Sequence, residues 1–144
     1  MSTIKVNTIS DTDGSGSPSF PNGNVGIGTA TPSGALEVVG TVKSTAFTEG
    51  VFAVTGATPA LDPANGSIQT WTLTESSAPT DSFGTGESMT LMIDDGSAYT
   101  ITWPTITWSN NAGAAPTLAT TGKTVIALWK VSTALYGVLV ADGT

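Results

Sequence analysis

Eleven carboxylates, four lysines and an abundance of hydroxyls make up the reactive inventory of this 144-residue chain, which has no His, no Cys and no Arg. The missing His removes the commonest general base and the commonest transition-metal ligand. The many Ser and Thr hydroxyls therefore lack a ready activating partner, and Lys43 or Lys130 could serve as a base only if buried. Sugar hydrolysis would need two carboxylates brought together from a set scattered over turns. Asp11-Thr12-Asp13-Gly14 has the first spacing of a calcium loop, but Ser17 through Asn22 supply no acid to complete it. Gly26-Ile27-Gly28 starts a dinucleotide fingerprint. Thr31 stands where its third glycine belongs, and Pro32 and Gly34 forbid the helix that should follow. Gly122-Lys123-Thr124 has the end of a phosphate loop, with Thr117 in place of the upstream glycine. All of these read as turns, so the expectation is a chain with no enzymatic activity, no metal and no cofactor.

The four tryptophans leave one further chemistry, stacking on glycan rings. Tyr99, Trp103 and Trp129 alternate with aliphatic residues and are expected in a core. Trp108, beside Ser109-Asn110-Asn111, is the candidate for an exposed glycan or partner contact.

The elements that would position these residues follow from composition. Hydrophobic residues make up 39% and charged residues only 10%, while Ser and Thr together supply roughly a quarter of the chain. Gly and Pro interrupt the sequence too often for long helices. Even the longest stretch without them, Lys123 to Tyr136, is rich in β-branched residues, so an all-β fold is expected. A net charge of −7 supplies no basic surface for nucleic acid and disfavours anionic membranes. There is no apolar run near membrane length, and Met1-Ser2-Thr3 leads directly into a polar-apolar alternation, so neither a spanning segment nor a signal peptide is expected. The lack of Cys agrees with assembly in a reducing cytoplasm.

Three regions emerge. Residues 1–23 hold an alternation of Ile4, Val6 and Ile9 and then a Gly/Ser/Pro-rich connector, which together read as an attachment arm: apolar side chains without a local partner, on a flexible tether. Residues 24–50 form a frequently turning ribbon whose Val25, Ile27, Leu36, Val38 and Val42 cannot bury one another. Identical neighbouring chains are the simplest source of cover. Residues 51–144 carry all the Trp and Tyr. Strands are predicted there at Val51–Val54, Ile68–Thr74, Ser88–Ile93, Ser97–Trp103, Lys123–Val131 and Leu135–Val140, a spacing that suggests a β-sandwich or jelly-roll-like knob. Thr105–Trp108, behind Pro104, fits a sheet edge or corner. Around Asp94-Asp95-Gly96, a three-residue hairpin loop would pair Ile93 with Ser97, Leu91 with Tyr99 and Met89 with Ile101, placing both apolar rows on one face.

Three stretches resemble bacteriophage virion proteins. Ser2-Thr-Ile-Lys-Val-Asn-Thr-Ile9 resembles the opening of fibre-like structural proteins of marine and cyanobacterial phages. Val25-Gly-Ile-Gly-Thr29, with Pro32, Leu36-Glu-Val38 and Gly40-Thr-Val42, resembles the VGIGT-type motif of tail fibres. Tyr99-Thr-Ile-Thr-Trp-Pro104, Trp108, Ala115-Pro-Thr-Leu118, Val125-Ile126 and Tyr136-Gly137 resemble a β module found at the ends of phage fibres. The resemblance implies a homotrimer of arm, intertwined neck and knob, located in the virion. The chain carries neither the long shaft nor the self-cleaving chaperone that often accompanies the motif. That departure favours a short head fibre or capsid decoration protein, partnered by capsid or tail proteins. The alternative is a compact tail appendage that reads a host surface glycan.

Overall fold

The computed structural model describes residues 23–143 apart from Asp95 and Ser97. The expected arm, residues 1–23, lies almost wholly outside the described residues. The fold is all-β: among the described residues the only helical pieces are 3-10 turns at Pro63–Asn65 and Asn111–Gly113. The chain divides into two compact units between Phe47 and Thr48.

In the first unit, β1 (Val25–Ile27) and β2 (Leu36–Val38) pair in parallel, Val25 opposite Leu36 and Ile27 opposite Val38. The chain returns to its own side after a single coil, closed by hydrogen bonds from Val25 N to Ala35 O (2.9 Å) and from Val39 N to Ile27 O (2.8 Å). Gly28 makes the coil possible. It takes a left-handed backbone (φ 79°), and a Cβ there would meet the Val39 carbonyl oxygen at 2.9 Å.

The second unit is built on a six-stranded sheet. Its strands are β3 (Val51–Val54), β5 (Ile68–Thr72), β7 (Ser88–Asp94), β8 (Thr107–Trp108), β9 (Thr124–Val131) and β10 (Ala134–Asp142), in the order β3-β5-β7-β9-β10-β8. The strands β3, β5 and β7 run parallel, and each crossover between them carries one strand of a second, two-stranded parallel sheet, β4 (Ala60–Leu61) and β6 (Thr80–Asp81). The chain thus coils from main sheet to small sheet and back, twice. An antiparallel hairpin, β9–β10, then completes the sheet, turning through Ser132 and Thr133.

Register divides the main sheet into two faces, because successive side chains point to opposite sides. Met89, Leu91 and Ile93 of β7 stand beside Leu128, Ile126 and Thr124 of β9, and beside Gln69 and Trp71 of β5. These side chains are buried, and the apolar ones join Leu61, Leu73, Phe83, Trp108 and Leu135 in one cluster. Two polar devices tie the crossovers to that core. Gln69, fully buried, donates from Nε2 to the Asp62 carbonyl at 2.7 Å and to the Gly66 carbonyl at 3.2 Å. Lys130 on β9 reaches Asp81 on β6 at 2.7 Å, with both side chains mostly buried.

The hairpin predicted around Asp94-Asp95-Gly96 does not form. Both edges of Ser88–Asp94 are occupied, by β5 in parallel and by β9 antiparallel. Among the described residues of the predicted strand at 97–103, only Ile101 pairs, in an isolated parallel bridge with Ser77. Tyr99, Ile101 and Trp103 instead pack on the flank of the core. The apolar alternation was a true signal of one-sided burial, but not of which strand lay alongside. The piece behind Pro104 does form an edge strand, β8, parallel to β10.

Gly137 is packed tightly against the core. A Cβ there would meet the Trp108 ring at 2.7 Å and Ile106 at 3.0 Å. Gly137→Ala is expected to destabilise the protein by about 1–3 kcal/mol through overpacking. Its urea midpoint should fall with unchanged m-value, and Trp108→Leu in the same chain should recover part of the loss.

Candidate functional site

No cluster of reactive side chains emerges when the described residues are brought together; the candidate surfaces are apolar ones. Of the expected neck residues, Val25 and Val38 are half-buried, while Ile27 is 56%, Leu36 63% and Val42 56% exposed. Val39 and Phe47 are exposed in the same unit. The ribbon therefore orders its backbone while leaving most of its apolar side chains, Ile27, Leu36 and Val42 among them, exposed. Ile4, Val6 and Ile9, the expected attachment residues, lie outside the described residues, as does Asp11-Thr12-Asp13-Gly14.

A carboxylate clasp closes the ribbon. Glu37 Oε2 accepts from the Ser33 backbone N–H at 2.7 Å and from the Ser33 hydroxyl at 2.8 Å. These bonds, the backbone one foremost, hold the Glu37 carboxyl below the ordinary glutamate value, because both stabilise its charged form.

The glycine-rich stretches are structural. Gly26 and Gly28 belong to the β1 coil. Gly122 takes a left-handed turn (φ 71°), Lys123 pairs with Asp94 at 2.7 Å, and the Thr124 hydroxyl accepts from the Ala119 N–H at 2.7 Å. Among the described residues no three metal-ligating side chains stand together, and no helix is long and apolar enough to cross a membrane.

The aromatic residues are placed differently from expectation. Trp108, the candidate for an exposed glycan or partner contact, is 9% exposed and belongs to the core. The reason is the bare backbone of Gly137 opposite it in β10, which leaves room for the indole. Trp103 then packs edge-on against Trp108, with centroids 5.5 Å apart and planes at 77°. The polar Ser109-Asn110 that suggested solvent extends the ladder instead. Ser109 N donates to Gly137 O at 2.9 Å. Asn110 exchanges two bonds with the Leu139 backbone, at 3.1 and 3.2 Å.

Trp129 is the converse case. Predicted in the core, it stands outside the buried cluster, stacked on Tyr136 with centroids 5.8 Å apart and planes at 12°. The two-residue turn at Ser132-Thr133 sets Trp129 opposite Tyr136, a pairing that the sequence reading missed because it did not carry the hairpin register across the turn. Elsewhere, Tyr99, Trp103, Pro116 and Leu118 line a shallow cavity of about 410 Å³, whose polar lining is hydroxyl-bearing and uncharged.

The chain matches no family model, no curated protein and no solved structure in these comparisons.

The clasp carries a sign. Because the folded pKa of Glu37 is depressed, its contribution is fully present above the unfolded glutamate value and is lost as pH falls through the folded one. A carboxyl NMR titration should place Glu37 below the ordinary range. Ser33→Ala should move it only part of the way back, since the backbone N–H remains. A Glu37 that titrates as an ordinary glutamate would remove the clasp from the account.

Proposed function

We propose that this chain is a structural component of a bacteriophage virion, a short homotrimeric head fibre or capsid decoration protein docked by its N-terminal arm. In this reading three ribbons intertwine as a neck around Ile27, Leu36 and Val42. Residues 51–144 form the knob, a sandwich-like body whose six-stranded sheet and smaller β4–β6 sheet are unequal layers. One observation supports it most: the ribbon leaves its largest aliphatic side chains more than half exposed, in a unit too small to bury them. Copies of the same ribbon supply the cover, and three tethered arms let weak individual contacts reinforce one another. The identification with virions itself comes from the motif resemblance at residues 2–9, 25–42 and 99–137. Its mechanism is architectural, with no reaction assigned.

A second reading, a compact tail appendage that binds a host surface glycan, is favoured by the uncharged cavity beside Tyr99 and Trp103 rather than by the buried Trp108. Electron microscopy of particles labelled on this protein separates the two: many copies over the capsid for decoration, a few at the tail for the appendage.

The arm is tested by deletion. A chain lacking residues 2–10 should remain trimeric and unfold cooperatively, yet fail to join particles. If it decorates particles at normal copy number, attachment resides in the neck or the knob.

A further inference from the structure

The face of the six-stranded sheet turned away from the core mixes hydroxyls with apolar and aromatic side chains. Register places Ser88, Thr90, Ala127, Trp129 and Tyr136 on it. Trp129 is the largest of these, and its two sides differ. Tyr136, opposite it in β10, lies nearly parallel to the indole, with centroids 5.8 Å apart and planes at 12°. Ser88, opposite it in β7, is too small to cover the other side. A cavity of about 280 Å³ lies there, lined by Trp129, Ala127, Thr90, Ser88, Ser67 and Glu49. The indole therefore presents one aromatic face to a polar slot. The ring of Tyr136 backs it and holds its orientation before anything binds.

The polar groups around the slot are of two kinds. The hydroxyls of Ser88 and Thr90 make no hydrogen bond among the described residues, and each can both donate and accept. Glu49 Oε2 accepts from the Ser67 hydroxyl at 2.6 Å, which holds the carboxylate at the rim with acceptor capacity left over. The lysine ion pairs of the described residues, Lys123 with Asp94 and Lys130 with Asp81, involve other acids.

We propose that this slot binds a neutral pyranose sugar, with one ring face on Trp129 and its hydroxyls on Ser88, Thr90 and Glu49. The proposal needs only the second unit, so it goes beyond the decoration reading. It concerns a different place from the cavity beside Tyr99 and Trp103.

Shape, hydrogen bonding and charge select this class of ligand. A pyranose carries an array of weakly positive C–H groups on its ring face, which complements the negative face of an indole. Its hydroxyls donate and accept, as those of Ser88 and Thr90 do, whereas an organic cation offers donors alone or none. Recognition of an organic cation also favours a cage of several aromatic faces, and here one face is open. Acidic sugars are disfavoured, because Glu49 stands at the rim of a chain whose net charge is −7. The volume falls just under the about 300–1,000 Å³ of drug-sized sites, which leaves room for one ring.

NMR titration of the full chain tests the inference, read at the indole N–H of Trp129. The probes are the methyl pyranosides of glucose, galactose and mannose, with sorbitol, tetramethylammonium and sialic acid as controls. A ligand of about a dozen non-hydrogen atoms should bind in the millimolar range. At least one pyranoside should move the Trp129 resonance saturably, and the three controls should not. In the wild type, saturation transfer should be strongest at the C–H protons of one ring face. Trp129→Leu should weaken binding by about tenfold or more, the loss of one stacking face. Trp103→Leu, at the other cavity, should bind as the wild type does. A Trp129 resonance unmoved by all three pyranosides would overturn the inference, as would an equal response to sorbitol or sialic acid. A response to tetramethylammonium in their place would make the slot a cation site and overturn it too. Pyranoside binding lost in Trp103→Leu and kept in Trp129→Leu would overturn this site while supporting the glycan-reading appendage.

Discussion

Parallel strands cannot be joined by a tight turn, and the rest of this fold follows from that constraint. Each parallel pairing requires an excursion out of the sheet and back. The excursions between β3 and β5 and between β5 and β7 step across the sheet in the same direction, and crossovers of one hand then fall on the same side. Both therefore cover one face with β4, β6, Leu61, Leu73 and Phe83. The buried core is the space between sheet and crossovers, fixed by the Gln69 and Lys130 contacts. The opposite face receives nothing from these crossovers.

Much of this was legible in residue order and much was not, for physical reasons. Alternation of Met89, Leu91 and Ile93, and of Ile126 and Leu128, announces strands buried on one side. Those strands formed, with ends shifted by a residue or two. Partner choice was not legible. Asp94-Asp95-Gly96 carries good local turn chemistry, but the long-range pairing of β7 with β5 and β9 took both edges of that strand. Ala60–Leu61 and Thr80–Asp81, two residues each, are too short to announce themselves by period. Trp108 shows the same limit, since its burial depends on a glycine far along the chain that contributes no side chain. The ribbon mixes isolated aliphatics with Gly, Thr and Pro, the pattern of a segment with little to cover itself; Ile27, Leu36 and Val42 stand exposed, while Val25 and Val38 are half-buried.

The two units reach the same unfinished condition by different routes. The ribbon is too thin to have an inside, so a carboxylate clasp and a left-handed glycine hold its backbone while its aliphatics face outward. The second unit has an inside, but its crossovers can line only one side of the sheet. Among the described residues no three metal-ligating side chains stand together, and the proposed function takes the ribbon's exposed aliphatics as assembly contacts. Under the proposed function the protein acts by occupying a place in a larger particle, and its stability is then linked to its association.

That linkage offers the most direct test of the central claim, that the native fold is completed by other copies of itself. Thermal unfolding should be followed over a hundredfold range of protein concentration. If association completes the fold, the midpoint should rise by several degrees from the lowest concentration to the highest, because assembly stabilises by mass action. A midpoint independent of concentration, with a monomer at every point, would contradict the account.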